Sequence, residues 1–166
     1  FNFKDFNGKI KIDFNDHESR RVLTKCCLHN DFNLDVELPK DRLCPTLPLR
    51  LNYIHFIEDL LIHCEILENI VGIDIGSGAS CIYCLLAVRT NTNWKMIGLE
   101  NEKKNVEAAR ENIARNQLEN QAVVIDQEGS SMIFERLFET DATTKSFCLC
   151  NPPFYSSEHE MVESEN

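Results

Sequence analysis

The chain has 166 residues, a net charge of −10 and a hydrophobic content of 43%. That length and apolar content support one domain, or one domain with a small appendage, and exclude wholesale disorder. The negative charge argues against holding a phosphate backbone through the average field, so basic residues for that task must be clustered locally or come from further segments.

No apolar run approaches the roughly 20 residues that span a bilayer, and the opening residues do not read as a signal peptide, so no membrane association is expected. Phe1 rather than Met stands first, which leads to the expectation of a piece of a longer protein. Eight cysteines (Cys26, Cys27, Cys44, Cys64, Cys81, Cys84, Cys148 and Cys150) fall mostly in apolar runs, where reduced cysteine acts as a small hydrophobe. That usage points to a reducing compartment, cytosol or nucleus.

Residues 8–14 alternate in polarity, as a half-buried strand does. Asp16 can cap a helix to about Leu28, and Leu34 to Leu38 alternates again. These elements predict a β-α-β accessory module over residues 1–45, with packing as its default role. Pro39, Pro45 and Pro48 mark an extended linker. From Leu49 to about Cys64, apolar residues recur at helical spacing. Arg50 enters this helix ahead of its apolar face, either as a solvated cap or aimed at an anion.

From Ile70 the rhythm becomes strand, helix, strand, helix. Strands are expected at 70–75, 95–99, 121–125 and 146–150, and helices at 80–88, 101–116 and 131–138. That alternation predicts an α/β fold with parallel βαβ units and right-handed crossovers. The α/β core would cover residues 46–155, followed by a polar, acidic tail over 156–166.

The chemistry gathers where strands end. Asn151-Pro152-Pro153-Phe154 follows the apolar run Phe147-Cys148-Leu149-Cys150. Two prolines stop the strand, and the first holds Asn151 extended. An amide oxygen, a carbonyl outside any ladder and an aromatic plate suit the gripping of a flat amine; the plain alternative is a turn closing a strand. Ligands of open α/β sheets bind beyond the carboxyl ends of the strands. Asp74 and Gly76, Glu100, Ser131 and Asn151 occupy four such ends. Gly76 and Gly78 let backbone approach a ligand, and Glu100 lies near the roughly 20-residue offset at which an acid takes ribose hydroxyls. The loop lacks the third glycine of dinucleotide sites, since position 81 is Cys, which disfavours NAD or FAD. A class I S-adenosylmethionine site fits better.

Cysteine offers the rival readings. Cys81-x-x-Cys84 could be a redox pair, with Cys148 and Cys150 adding zinc ligands. The first pair has no charged neighbour to lower a thiol pKa, and the second is expected on a buried strand face. The five histidines form no H-E-x-x-H or comparable set, so no metal is expected.

Three segments carry a closer likeness: Leu43-Cys-Pro-Thr-Leu-Pro-Leu-Arg50-Leu-Asn-Tyr-Ile-His55, Asp74-Ile-Gly-Ser-Gly-Ala-Ser-Cys-Ile-Tyr83 and Cys150-Asn-Pro-Pro-Phe154. Together they resemble the methyltransferase-like protein sixteen family, from near Phe3 to Tyr155. The resemblance implies a Rossmann-like, class I S-adenosylmethionine-dependent methyltransferase that makes N6-methyladenosine in structured RNA. It further implies U6 small nuclear RNA and hairpins of S-adenosylmethionine synthetase transcripts as substrates. It would give Arg50 the cofactor carboxylate, Gly76 and Ser80 its amino-acid end, Glu100 the ribose and Ser131 the adenine. Asp74, Gly78 and Asn151 complete the expected cofactor set. Asn151, Pro152 and Phe154 would be catalytic, with Tyr155 helping Phe154 to stack on a flipped base. The family's later strands, basic loop and RNA-binding regions are expected to lie beyond this sequence. A monomer is expected, in the nucleus, with the cytoplasm as a second location. The alternatives are a ribosomal RNA adenine-N6 or protein-glutamine methyltransferase, or a cofactor-binding module without turnover.

Overall fold

A computed structural model describes residues 3–6, 9–127 and 146–152. Its first elements are the strands β1 (Phe3–Phe6) and β2 (Lys9–Ile12), paired antiparallel as a hairpin. One strand was expected there. The alternation over residues 8–14 belongs to the second arm of the hairpin. Helix α1 (His17–Phe32) starts where predicted, with the Asp16 carboxylate accepting the Ser19 amide at 2.9 Å. It runs a turn past Leu28 because Asn33 adopts a left-handed conformation (φ 50°) that asparagine tolerates. There the Leu34 amide donates to the Leu28 carbonyl at 3.0 Å and closes the helix end.

Residues 34–38 differ from expectation. Leu34, Val36 and Leu38 are buried in alternation, as a strand would have it, yet among the described residues the segment joins no ladder. Its backbone is satisfied instead by two asparagines one turn apart on α4 (Lys103–Arg115 and its C-cap). Asn116 accepts from the Asp35 amide and donates to the Asp35 carbonyl, each at 2.8 Å. Asn112 does the same for Glu37, at 2.8 and 3.1 Å. Side-chain amides thus imitate a neighbouring strand, and the accessory segment is ββα plus a strap. Leu28, Leu34, Val36 and Leu38 share one buried cluster with the helices that cover the sheet.

Helix α2 (Leu47–His63) has Pro48 in its first turn, where a missing amide hydrogen costs nothing, and buries Ile54, Ile57 and Leu61. The remaining elements alternate: β3 (Val71–Ile75), α3 (Ile82–Thr90), β4 (Lys95–Glu100), α4, β5 (Ala122–Asp126) and β6 (Phe147–Cys150). The four strands form a parallel sheet in the order β5-β4-β3-β6. Asp74 lies opposite Gly98 on one side and Leu149 on the other. The chain steps from β3 to β4 to β5 in one direction, and β6 then returns to the far side of β3. Strand order therefore reverses between β3 and β6, where open α/β sheets bind ligands.

The cysteine face of β6 is not the buried one. Leu149 packs into the core (2% exposed), while Cys148 and Cys150 are exposed. Leu149 shares its sheet face with Asp74, the side on which Cys84 of α3 reaches Asp74, so the helices cover Leu149 and leave the thiols on the opposite side. The predicted helix 131–138 and the tail 156–166 lie outside the described residues.

Candidate active site

The cleft opens at the carboxyl ends of β3 and β6. Beyond β3 the chain turns at once: the Gly76 and Ser77 amides both donate to the Leu99 carbonyl, at 2.9 and 3.0 Å. Gly76 (φ +74°) and Gly78 (φ +63°) take left-handed conformations that let the turn fold back over β4, and the space where a Cβ would stand is open at both. The third position of a dinucleotide loop, Cys81, is itself left-handed (φ 50°) and buried. The helix therefore begins as in a glycine-rich loop, with a thiol in place of the third glycine.

A cavity of about 740 Å³ sits over this turn, bounded by Arg50, Gly76, Ser80, Glu100 and Asn151 among others. That volume suits a nucleoside with an amino-acid tail, since ligand pockets commonly hold about 300–1,000 Å³. Gly78 and Pro152 also line it. Seven residues predicted from sequence thus meet in one cleft. Ser131 and Phe154 lie outside the described residues, with Pro153 and Tyr155.

Three backbone amides hold the Glu100 carboxylate. One carboxylate oxygen accepts the Asn101 and Glu102 amides at 2.9 Å, and the other accepts the Gly78 amide at 2.8 Å. A carboxylate offers about four acceptor positions, so the second oxygen keeps a free lone pair for a hydroxyl. The same bond fastens the glycine turn to the end of β4.

Arg50 is half-buried on α2 and reaches inward to the cleft, so it is not a solvated cap. Its Nη1 donates to the Tyr83 hydroxyl at 2.9 Å and to the Asn151 side-chain oxygen at 2.6 Å. The guanidinium carbon stands 5.3 Å from the Tyr83 ring centroid. Burial pushes the Tyr83 phenol up from its usual pKa, with Arg50 pulling the other way, so the hydroxyl stays neutral at physiological pH. Sequence reasoning assigned Tyr83 no role, because a tyrosine in a helical apolar run reads as core.

Asp74 behaves differently from its predicted partners. It is 1% exposed and lies beneath the cleft rather than on its wall. Burial raises its carboxyl from 3.8 to about 7, Glu100 adds to the rise, and the Cys84 thiol and Arg50 oppose it. One carboxyl oxygen takes the Cys84 thiol at 3.9 Å; the other has no hydrogen-bond partner among the described residues. Cys84 is buried beside Cys81 and Asp74, and its thiol is pushed well above its usual range. A thiol kept protonated is a poor nucleophile and a poor metal ligand.

Two further residues escaped sequence reasoning. Arg42, in the proline-marked linker, borders the cleft and pairs through both terminal nitrogens with Glu102, one contact being 2.7 Å. Asn112 is fully buried and joins the strap to the glycine loop, donating to the Ala79 carbonyl at 3.2 Å as well as to Glu37. Its signal was faint. Asn112 and Asn116 are two amides at helical spacing on a face otherwise apolar, and propensity treats such residues as solvated.

Comparison with known proteins agrees with this geometry. A family model described as RNA methyltransferase matches residues 1–166. The chain is 44% identical over 155 residues to the U6 small nuclear RNA (adenine-(43)-N(6))-methyltransferase of Drosophila melanogaster, covering 92% of this chain and 50% of that protein. Among solved structures, the N-terminal domain of human METTL16 in complex with SAH is 36% identical. It superposes with a TM-score of 0.83, over 98% of this chain and 65% of that one. The human METTL16 catalytic domain in complex with MAT2A 3'UTR hairpin 1 is also 36% identical, with a TM-score of 0.77 over 99% of this chain and 54% of that one. The chain spans about half the length of the fly relative. With the family model matched along the whole chain and the cleft of a class I fold at its strand ends, this chain belongs to the RNA methyltransferase family.

Proposed function

We propose that the protein transfers a methyl group from S-adenosylmethionine to the N6 of an adenine in structured RNA. The observation that carries the proposal is the convergence of Arg50, the Gly76–Ser80 turn, Glu100 and Asn151 on one cleft at the strand-order reversal. Names of relatives add support: a fly relative is a U6 small nuclear RNA adenine methyltransferase, and human METTL16 has been solved with SAH and with an RNA hairpin. U6 small nuclear RNA and messenger RNA hairpins are accordingly the proposed substrates, and the nucleus the proposed location. The proposed state is a monomer.

In this reading Arg50 takes the cofactor carboxylate and the turn 76–80 its amino-acid end. Glu100 takes the ribose hydroxyls through its remaining lone pair. Residues beyond β5 would reach the cofactor's adenine, with Ser131 assigned to it, and Asp74 supports the turn from below.

The reactive end is Asn151-Pro152. The N6 lone pair of adenine is delocalised into the ring and reacts poorly. The Asn151 oxygen and the Pro152 carbonyl accept its two hydrogens, and those bonds strengthen as the nitrogen becomes tetrahedral, which favours the transition state. Phe154 stacks on the flipped base. The sulfonium methyl is already electrophilic, so alignment of nitrogen, carbon and sulfur supplies most of what remains.

Asn151→Ala in the full-length protein tests this. The variant is expected to bind S-adenosylhomocysteine while methyl transfer to an RNA hairpin falls by about 100-fold or more, in keeping with the loss of one transition-state acceptor. Transfer at close to the wild-type rate would overturn the role of Asn151. Binding of S-adenosylhomocysteine by the wild type without any transfer would favour a module without turnover.

A further inference from the structure

The Arg50–Asn151 contact joins two tasks that the proposed function keeps apart. Nη1 carries two hydrogens, and both are in use, one on Tyr83 and one on Asn151. Tyr83 and Asn151 both line the cavity, so this nitrogen stands at its edge. The oxygen it holds at 2.6 Å is the one the reaction needs as an acceptor for the adenine amino group.

We propose that Arg50 makes the two ligands enter in order: the cofactor's carboxylate draws its guanidinium off Asn151, and only then is the Asn151 oxygen a full acceptor for adenine. This rests on the reading above and deepens it. A carboxylate reaching Nη1 is a third acceptor for its two hydrogens, and its full negative charge adds an ion-pair attraction to the guanidinium that the neutral amide oxygen lacks. An amide oxygen therefore yields to it.

Of the two present partners, Asn151 is the one to leave. Tyr83 is 4% exposed, packed edge-on against Tyr53 with ring centroids 5.7 Å apart, and stacked near the guanidinium. Its neutral hydroxyl can also rotate and donate to the arriving carboxylate. Asn151 is half-buried, just past the end of β6. Before the cofactor arrives, a cation bonded to the Asn151 oxygen draws electron density from it and opposes a second donor. Tyr83 is thus a positioning residue: it occupies the second Nη1 hydrogen, which would otherwise let that nitrogen hold both ligand and amide.

The test uses the full-length protein and an RNA hairpin that it methylates. In one version the target adenosine is intact; in the other it is replaced by purine riboside, which lacks the amino group. The ratio of their dissociation constants measures what the amino group contributes. It is read without ligand, with methylthioadenosine, which lacks the carboxylate, and with S-adenosylhomocysteine, which has it. The expected ratio stays near one for the first two and rises about fivefold or more with S-adenosylhomocysteine, the scale of one modest hydrogen bond. Equal ratios in all three states would overturn the ordering. Failure of S-adenosylhomocysteine to bind, or of any hairpin to be methylated, would instead remove the underlying function and the ordering with it. Tyr83→Phe supplies an independent arm. It leaves Nη1 a spare hydrogen, so the ligand-dependent rise should shrink towards one while S-adenosylhomocysteine still binds. An undiminished rise in this variant would overturn the role of Tyr83.

Discussion

Asp74 sits near the end of β3, and burial pushes its pKa up to about 7. The folded chain binds this proton more tightly than the unfolded chain, whose carboxyl titrates near 3.8. The stabilisation is therefore complete below about pH 4 and is lost as the pH rises through 7. Asp74→Asn removes the titration. Relative to wild type, the variant should gain about 1–3 kcal/mol of unfolding free energy between about pH 5 and pH 8, measured by urea denaturation. A pH-independent difference would show that Asp74 is ionised throughout. The sequence placed Asp74 at a strand end but could not show its burial, because burial follows from α3 lying across that face. Arg50 is the opposite case: the sequence left open whether it is a solvated cap, and only tertiary packing turned it inward onto Tyr83 and Asn151.

Among the elements, the strap 34–38 depends most on side chains distant in sequence. Asn112 is bonded to both backbone groups of Glu37, to the Ala79 carbonyl and to Arg115, whose Nη1 donates to its oxygen at 2.8 Å. Asn112→Ala leaves the Glu37 and Ala79 groups without these partners inside the protein. Buried unsatisfied groups cost about 1–3 kcal/mol each, and some will find water, so a loss of about 2–4 kcal/mol in unfolding free energy is expected. Cofactor affinity should fall as well, because the strap leads into the linker that borders the cleft at Leu38, Pro39 and Arg42. Calorimetry with S-adenosylhomocysteine checks the second effect; unchanged affinity would confine Asn112 to stability. The alternation Leu34-Val36-Leu38 reported burial faithfully and misreported pairing. Period two records which side chains point inward, whereas a ladder requires a neighbouring strand, and here a helix stands in its place.

Across the whole molecule, the cleft is assembled from residues 38–50, 75–83, 100–105 and 150–152, which meet only in the folded chain. A ligand of this cleft binds the native state alone, so S-adenosylhomocysteine at about 100 times its dissociation constant should add about 2.7 kcal/mol of stability. A rise of several degrees in Tm is the expected reading, and no rise would overturn the cofactor assignment. Charge sets the second expectation at this scale. With a net charge of −10, this chain contributes few phosphate contacts, so hairpin affinity measured on the 166 residues alone should fall only shallowly with salt, with a slope of about −2 or less. A steep slope would place a basic RNA-binding surface within it. The parallel α/β order and the strand ends that bring Gly76, Glu100 and Asn151 to the cleft were legible in the sequence, because period, prolines and glycines act locally and crossover handedness is nearly invariant. What tertiary structure alone decided was long-range: Arg50 on Asn151, the exposure of Cys148 and Cys150, the burial of Asp74 and the asparagine strap. Each depends on which surfaces meet across some 10 to 100 positions of chain, and no local pattern carries that information.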